Sequence, residues 1–362
     1  MRIASAHLVP YRLPLKRPWV AASETLTERQ GALVRLTAQD GIAGWGDCAP
    51  LPSSGAVGQA RVFAALDACL RRCVAAGSAD DDGSSPPEVR WAIETALLDI
   101  EAQRRGVLLA CLLGANAGAT TLAVNAALGP LDAACAVRAA QAAEQGFAIG
   151  KIKVGIDTPD NEIECLRALV VATRGRLRLR LDANRAWSEA EAQRFLASIA
   201  ELPIDAVEEP LAAPSVCALA GLQAALPFAI AVDESLPLLD MAALIETKAV
   251  RRFVLKPARL GGYAATRAIA QRAVEAGIEI VLTSVIDSAI GIIATAHLAA
   301  ALAPAIAHGL GTSAWLAADV ADAPLIANGR MTLPAGAGLG VAPSESQAPS
   351  AGYSHAADSC LA

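Results

Sequence analysis

FAIGKIKVG (147–155), LRLRLDAN (177–184), IDAVEEP (204–210), FAIAVDES (228–235) and FVLKPA (253–258) each run a short apolar stretch into a charged residue. The charges that end these runs are Lys151 and Lys153, Asp182, Glu208, Asp233 and Lys256. The three acids stand 26 and then 25 residues apart, and Lys256 follows Asp233 by 23. A strand, a helix and two loops fill about that length. Charges at the ends of successive parallel strands converge if those strands close into a barrel, whose active sites lie at that rim. Taken singly, each acid is as well explained by a helix cap or an arginine pair. Three in order with lysines on both sides point instead to one site, a divalent cation flanked by ammonium groups.

A chain of 362 residues exceeds what one core usually holds and suits a barrel of about 250 residues plus a domain of about 100. With 54% hydrophobic and 18% charged residues it reads as a well-packed globular protein. A formal net charge of −6 gives no basic footprint for nucleic acid or an anionic membrane surface. The eight cysteines are scattered without a C-x-x-C pair, the usage of a reducing compartment. No signal peptide is legible in Met1–Val20, which prolines interrupt, so the expected location is the cytoplasm. The uncharged run from Ser288 to Ala318 is broken by Gly291, His297, Pro304, His308 and Gly309 and reads as a buried helix followed by a strand, not a membrane span.

The chain divides near residue 115. Residues 1–115 read as an α+β domain, with strands over Ile3–Leu13, Ala32–Leu36 and Ile42–Trp45, an Asp40-Gly41 turn, and helices over Arg61–Val74 and Glu88–Arg105. Residues 116–320 alternate short β-like runs with Ala-rich helices. Eight strands are expected: Leu122–Ala126, Ile149–Val154, Leu177–Leu181, Ala206–Glu208, Phe228–Val232, Phe253–Lys256, Ile278–Ser284 and Ala305–His308. That rhythm argues for a (β/α) barrel, and no GxGxxG follows any strand to favour a dinucleotide fold. The Ser-, Ala- and Pro-rich end, 344–362, reads as a disordered tail.

Asp182, Glu208 and Asp233 offer hard oxygen ligands, which suit Mg²⁺ or Mn²⁺ rather than zinc, with Asn184 in a supporting position. Lys151 and Lys153 lie two apart on one strand and point to the same face. Two cations so close should each lower the other's pKa and make one a usable base. A base on one wall, a metal, and Lys256 half a barrel away form the machinery for removing a proton from carbon beside a carboxylate. The expected partner is therefore a small-molecule carboxylate; a homo-oligomer stays open.

At these residues the chain resembles the enolase superfamily, in the branch with lysines on the second and sixth barrel strands. The resemblance runs from RWAIETALLDIEAQRRG (90–106) through KIKVG, LRLDANRAWS, VEEPL, VDES and LKPARLGG. It implies a modified (β/α)7β TIM-type barrel under an N-terminal α+β capping domain that residues 320–342 complete. Within the branch the chain is most similar to the o-succinylbenzoate synthases of menaquinone biosynthesis, on GWGDCAPLP (44–52), SVIDSAIGIIATAHLAAAL (284–302) and HGLGTSAWLAADV (308–320). That likeness implies Mg²⁺ on Asp182, Glu208 and Asp233, with Glu208 chosen over Glu209 as the first acid of the family's E-[EQ]-P. It implies Lys153 as base, Lys256 facing the other side of the ring, and Lys151 holding the carboxylate and depressing Lys153. Arg180 would support the lysine pair, and Ser284 with the backbone around Gly309–Gly311 would bind the succinyl tail. The family's PLPGFS loop is altered here to Pro50–Gly55, and Arg29, near the other specificity loop at 16–26, carries no assigned contact. The nearest rivals are N-succinylamino acid racemase and dipeptide epimerase. The acid-free 309–313 segment speaks against the epimerase, which carries a D-x-D pair there. Retention of every acid and lysine disfavours a non-catalytic scaffold.

Overall fold

The computed structural model describes residues 1–20, 25–51, 58–77, 83–344 and 353–356. The chain opens with three antiparallel strands, β1 (Ile3–Val20), β2 (Thr25–Ala38) and β3 (Ala43–Cys48). The first two outrun their sequence signal because pairing resumes beyond a register shift after Pro14 and continues to Val20↔Thr25. Two helices, α1 (Gln59–Ala76) and α2 (Pro87–Arg104), cover one face of the sheet. Val34, Leu36, Leu66, Leu70, Ile93 and Ile100 form the core between them.

Gly46 explains why α2 lies so close to β3. A Cβ there would stand 1.9 Å from the carbonyl oxygen of Ala92, and one at Gly44 would stand 2.1 Å from that of Ala96. The GWG of the sequence is thus a backbone contact surface for the helix, with Trp45 pointing to the other face.

After α3 (Leu109–Leu112) and β4 (Thr121–Ala123) the alternating region begins. Its strands are β5 (Ala126–Pro130), β6 (Ile149–Lys153), β7 (Arg178–Asp182), β8 (Ile204–Glu208), β9 (Ala229–Val232), β10 (Arg252–Leu255) and β11 (Glu279–Leu282), joined in that order in one parallel sheet. The helices between them are α4 (Cys135–Glu144), α5 (Pro159–Ala172), α6 (Glu189–Ser198), α7 (Val216–Ala225), α8 (Met241–Glu246), α9 (Pro257–Leu260) and α10 (Tyr263–Glu275). The expected eighth strand, Ala305–His308, is reduced to single bridges. His308 pairs with Val124 and Gly309 with Thr283, so the first and last strands meet through them and the barrel closes. The expected first strand also divides: Thr121–Ala123 leaves to join a separate sheet, and the barrel strand starts at Ala126.

The uncharged run opens with one helix, α11 (Ala289–Leu302), buried on every side from Ala289 to Ala300. No helix among the described residues is long and apolar enough to cross a membrane. Two short strands follow, β12 (Ile326–Ala327) and β13 (Arg330–Thr332), which pair with each other, and β13 pairs in turn with β4. The chain then returns to the N-terminal part, where Gly338 exchanges backbone hydrogen bonds with Val107 (2.9 Å) and Leu109 (2.8 Å). The 344–362 segment, expected to be without structure, contains one strand, β14 (Tyr353–Ala356), antiparallel to the open edge of β1. A β edge offers unpaired N–H and C=O groups that any extended segment can satisfy, whatever its hydropathy.

The α2 face turned away from the β-sheet docks on the barrel. Glu94 accepts the amides of Tyr263 (2.5 Å) and Ala264 (3.1 Å) at the start of α10, and Glu88 pairs with Arg259. Gly262 is required there, at φ +108° and with a Cβ position only 2.0 Å from Glu94 Oε2. Replacing Gly46 by Ala forces backbone against backbone, so Gly46→Ala is expected to lose about 1–3 kcal/mol, measured by the midpoint of urea unfolding.

Candidate active site

Parallel register sets the rim of the barrel. Lys153 lies beside Asp182 on the next strand, and Asp182 beside Glu208 on the one after. Asp233 and Lys256 follow β9 and β10 directly, and Lys151 precedes Lys153 by two on β6, so the six predicted charges share one mouth. Asp182, Glu208 and Asp233 are all buried there.

The ammonium groups distribute themselves among the acids. Lys151 Nζ donates to both oxygens of Glu208 at 2.8 Å and lies 3.0 Å from Asp182 Oδ2. Lys256 pairs with Asp233. Lys153 stands free of the acids: its Nζ donates to Asn184 Oδ1 (3.0 Å) and lies 5.3 Å from the centre of the Trp19 ring. Asn184 reaches back through its own amide to Asp182 Oδ1 (3.2 Å) and through its side chain to Glu234 (3.5 Å).

These partners separate the lysines electrostatically. Burial pushes the Lys153 pKa below its ordinary value; Asp182 opposes the push and the charge of Lys151 adds to it. For Lys151 burial acts the same way but is outweighed by Asp182, Glu208 and Asp233, which hold it above the usual lysine range. Lys256 is likewise raised, by Asp233 and Glu208 against its burial. The expected mutual lowering therefore operates on Lys153 alone, because only Lys153 lacks a carboxylate partner.

Glu208 and Glu209 have opposite surroundings. Glu209, at φ +49°, turns away from the lysines and grips the next strand end. Its carboxylate accepts the amides of Asp233 (2.6 Å) and Ser235 (2.9 Å) and the Ser235 hydroxyl. Burial, with Glu234 nearby, pushes its pKa up to about 7. It fixes the turn that carries Asp233, a role the sequence alone did not reveal.

Arg180 is placed differently from the expectation. Its guanidinium pairs with Asp205 (2.8 Å) and donates to Asn125 Oδ1 (3.2 Å) and the Ala307 carbonyl (3.0 Å), one layer below the lysines. The cause is a register skip: Leu179 pairs with Ile204 but Arg180 with Ala206, and the skipped residue is Asp205. Such a bulge re-aims a side chain, here to meet Arg180 and Arg252 together. Across the mouth, the Ser284 hydroxyl lies 2.6 Å from Thr312 Oγ1. The backbone of Gly309 joins Ser284 and Leu282, and Gly311 opens the short 3-10 turn that carries Trp315. The altered loop tip, 52–55, and part of the 16–26 loop lie outside the described residues.

Among the described residues no three His, Cys, Asp or Glu side chains converge on one point as a metal cage would. Lys151 bridges Asp182 and Glu208, and Lys256 engages Asp233. The donor chemistry nevertheless fits a hard divalent cation, since three buried carboxylates stand at consecutive strand ends with no nitrogen or sulfur donor among them. Rotation of Lys151 off Asp182 and Glu208 would free their oxygens toward such an ion.

Comparison with known proteins places this geometry. Residues 134–347 match the family described as enolase C-terminal domain-like, and residues 3–100 match that described as MenC, N-terminal domain. The chain is 31% identical to an o-succinylbenzoate synthase of Yersinia pseudotuberculosis, over 89% of this chain and 95% of that protein. It is 27% identical to the chloromuconate cycloisomerase CbnB of Cupriavidus necator, over 94% and 96% of the two chains. Among solved structures, a dipeptide epimerase of Methylococcus capsulatus complexed with Mg and L-Arg-D-Lys superposes with a TM-score of 0.83 at 28% identity, covering 94% of this chain and 99% of that one.

Asp233→Asn removes one anionic oxygen from the donor set while keeping its shape. It is expected to weaken Mg²⁺ binding by more than about 10–100-fold, the loss that even outer-shell partners of a metal produce. Calorimetric titration reads this directly, and unchanged affinity would mean that another acid completes the set.

Proposed function

The chain belongs to the enolase superfamily, and we propose that within it the protein dehydrates 2-succinyl-6-hydroxy-2,4-cyclohexadiene-1-carboxylate to o-succinylbenzoate. The observation that carries the reading is the pair Lys153 and Lys256 on opposite walls of the mouth, with three buried carboxylates between them and no acid in the 309–313 segment. The match of the N-terminal part to MenC and the likeness to an o-succinylbenzoate synthase support the choice of substrate.

In this reading Asp182, Glu208 and Asp233 hold Mg²⁺. The bound ion supplies positive charge to the substrate carboxylate, whose oxygens receive the electron pair of the broken C–H bond. Lys153, whose pKa burial and Lys151 lower, takes in its neutral form the proton from the ring carbon beside the carboxylate. The ring C–O bond then breaks, and the Lys153 ammonium on the same face returns its proton to the leaving hydroxide as water. The ring becomes aromatic, which drives the step. Lys256 stays charged and faces the opposite side of the ring, where it stabilises the negative charge by Coulomb and cation–π attraction. Lys151 stays charged and shifts from the acids toward the substrate carboxylate. Seven described cysteines, all free, suit a cytoplasmic setting.

N-succinylamino acid racemisation is the second reading, favoured by the same opposed lysines, since a two-base exchange needs one on each face. The two are separated by an ultraviolet assay with the cyclohexadiene carboxylate and by deuterium exchange into an N-succinylamino acid. Turnover that requires Mg²⁺ and stops with EDTA is expected in the first assay. Lys153→Ala should lower that turnover by at least about 10²–10⁴-fold while leaving the circular dichroism spectrum and Mg²⁺ affinity as in the parent protein. Residual activity above that range overturns the assignment of Lys153 as base.

A further inference from the structure

Ile286, in the turn between β11 and α11, is buried at φ +63°. A β-branched side chain crowds its own backbone in that region, and such a conformation persists only where its surroundings over-determine it. The determining contact comes from the other end of the sequence. Arg29, on β2 and itself buried, donates through Nε to the carbonyls of Val285 (3.3 Å) and Ile286 (3.2 Å). The rest of its guanidinium is committed to the capping domain, where Nη1 donates to the Pro50 carbonyl (2.8 Å) and Nη2 to that of Ala49. The same domain secures the far side of the turn. Asp47 Oδ2 accepts the Ser288 amide (3.1 Å) and hydroxyl (2.8 Å), while its other oxygen accepts the Tyr11 hydroxyl (2.8 Å).

The turn held in this way begins at Ser284, on the barrel mouth, and includes Asp287, which feels the charge of Lys256. We propose that Arg29 is a positioning residue: from the capping domain it keeps the β11–α11 turn in its left-handed form and so fixes where Ser284 and Asp287 stand against the substrate. Arg29 need not touch the substrate, because its donors go to main-chain carbonyls on both sides of the domain boundary. A planar guanidinium can serve both sets of carbonyls at once, and a single ammonium cannot. The proposal rests on the synthase reading only for the identity of what Ser284 meets; the dependence of the turn on Arg29 holds for any substrate.

The test uses Arg29→Lys, which keeps the buried charge, and Arg29→Met, which keeps the apolar stem. Each is made alone and together with Ile286→Gly, since glycine takes positive φ without steric cost. Hydrogen exchange of the 284–288 amides should quicken by about tenfold or more in both single variants and slow again when Ile286→Gly is added. With the cyclohexadiene carboxylate, KM should rise by about tenfold with kcat and Mg²⁺ affinity changed less, and the added glycine should recover KM. Exchange at 284–288 equal to the parent protein in both Arg29 variants, or no recovery on adding Ile286→Gly, overturns the proposal. Absence of cyclohexadiene turnover in the parent protein would fall on the synthase reading, and the exchange measurement would still decide the role of Arg29.

Discussion

Three carboxylates buried side by side in one barrel mouth repel one another strongly, and Lys151 and Lys256 offset most of that repulsion. Lys151 serves Asp182 and Glu208 together, Lys256 serves Asp233, and Lys153 is left without an acid. That unequal sharing raises the pKa of Lys151 and Lys256 and leaves that of Lys153 lowered. The electrostatic asymmetry, more than the presence of the lysines, is what the proposed proton transfer relies on.

The layers beneath and beside the rim keep this balance in place. Asp205, turned inward by the bulge in β8, holds Arg180 and Arg252, so the cations there are paired before they can reach the acids of the rim. Glu209 clamps the turn that carries Asp233. From outside the barrel, Glu94 caps α10 and Arg29 and Asp47 grip the β11–α11 turn. The N-terminal part therefore acts as part of the frame of the barrel mouth. Gly44 and Gly46 permit this by letting α2 rest on β3 while its other face meets the barrel.

Much of this was legible in the sequence. The strand-end charges appear at near-even spacing because each βα unit uses a similar length of chain, and the apolar runs before them mark buried parallel strands. The barrel, its site rim and the helix over 88–105 could be read on that basis. The closing strand was read as Ala305–His308 but pairs only at His308 and Gly309, since closure needs just enough backbone to join Val124 to Thr283. Arg180 was read toward the lysines because period-two alternation puts it on the face of Asp182. One skipped residue in the neighbouring strand supplied Asp205 as its partner, and a bulge leaves no mark in composition or periodicity.

The sequence by itself determined which residues bear charge, on which strand ends they lie and that those ends share a rim. These are consequences of local periodicity and chain length. Only the tertiary structure decided which lysine goes without an acid, that Glu209 supports a turn, and that Arg29 reaches Val285 and Ile286 across some 256 intervening positions of sequence. Those outcomes depend on hydrogen-bond geometry and local dielectric between segments far apart in the chain, and neither quantity exists until the two domains have packed.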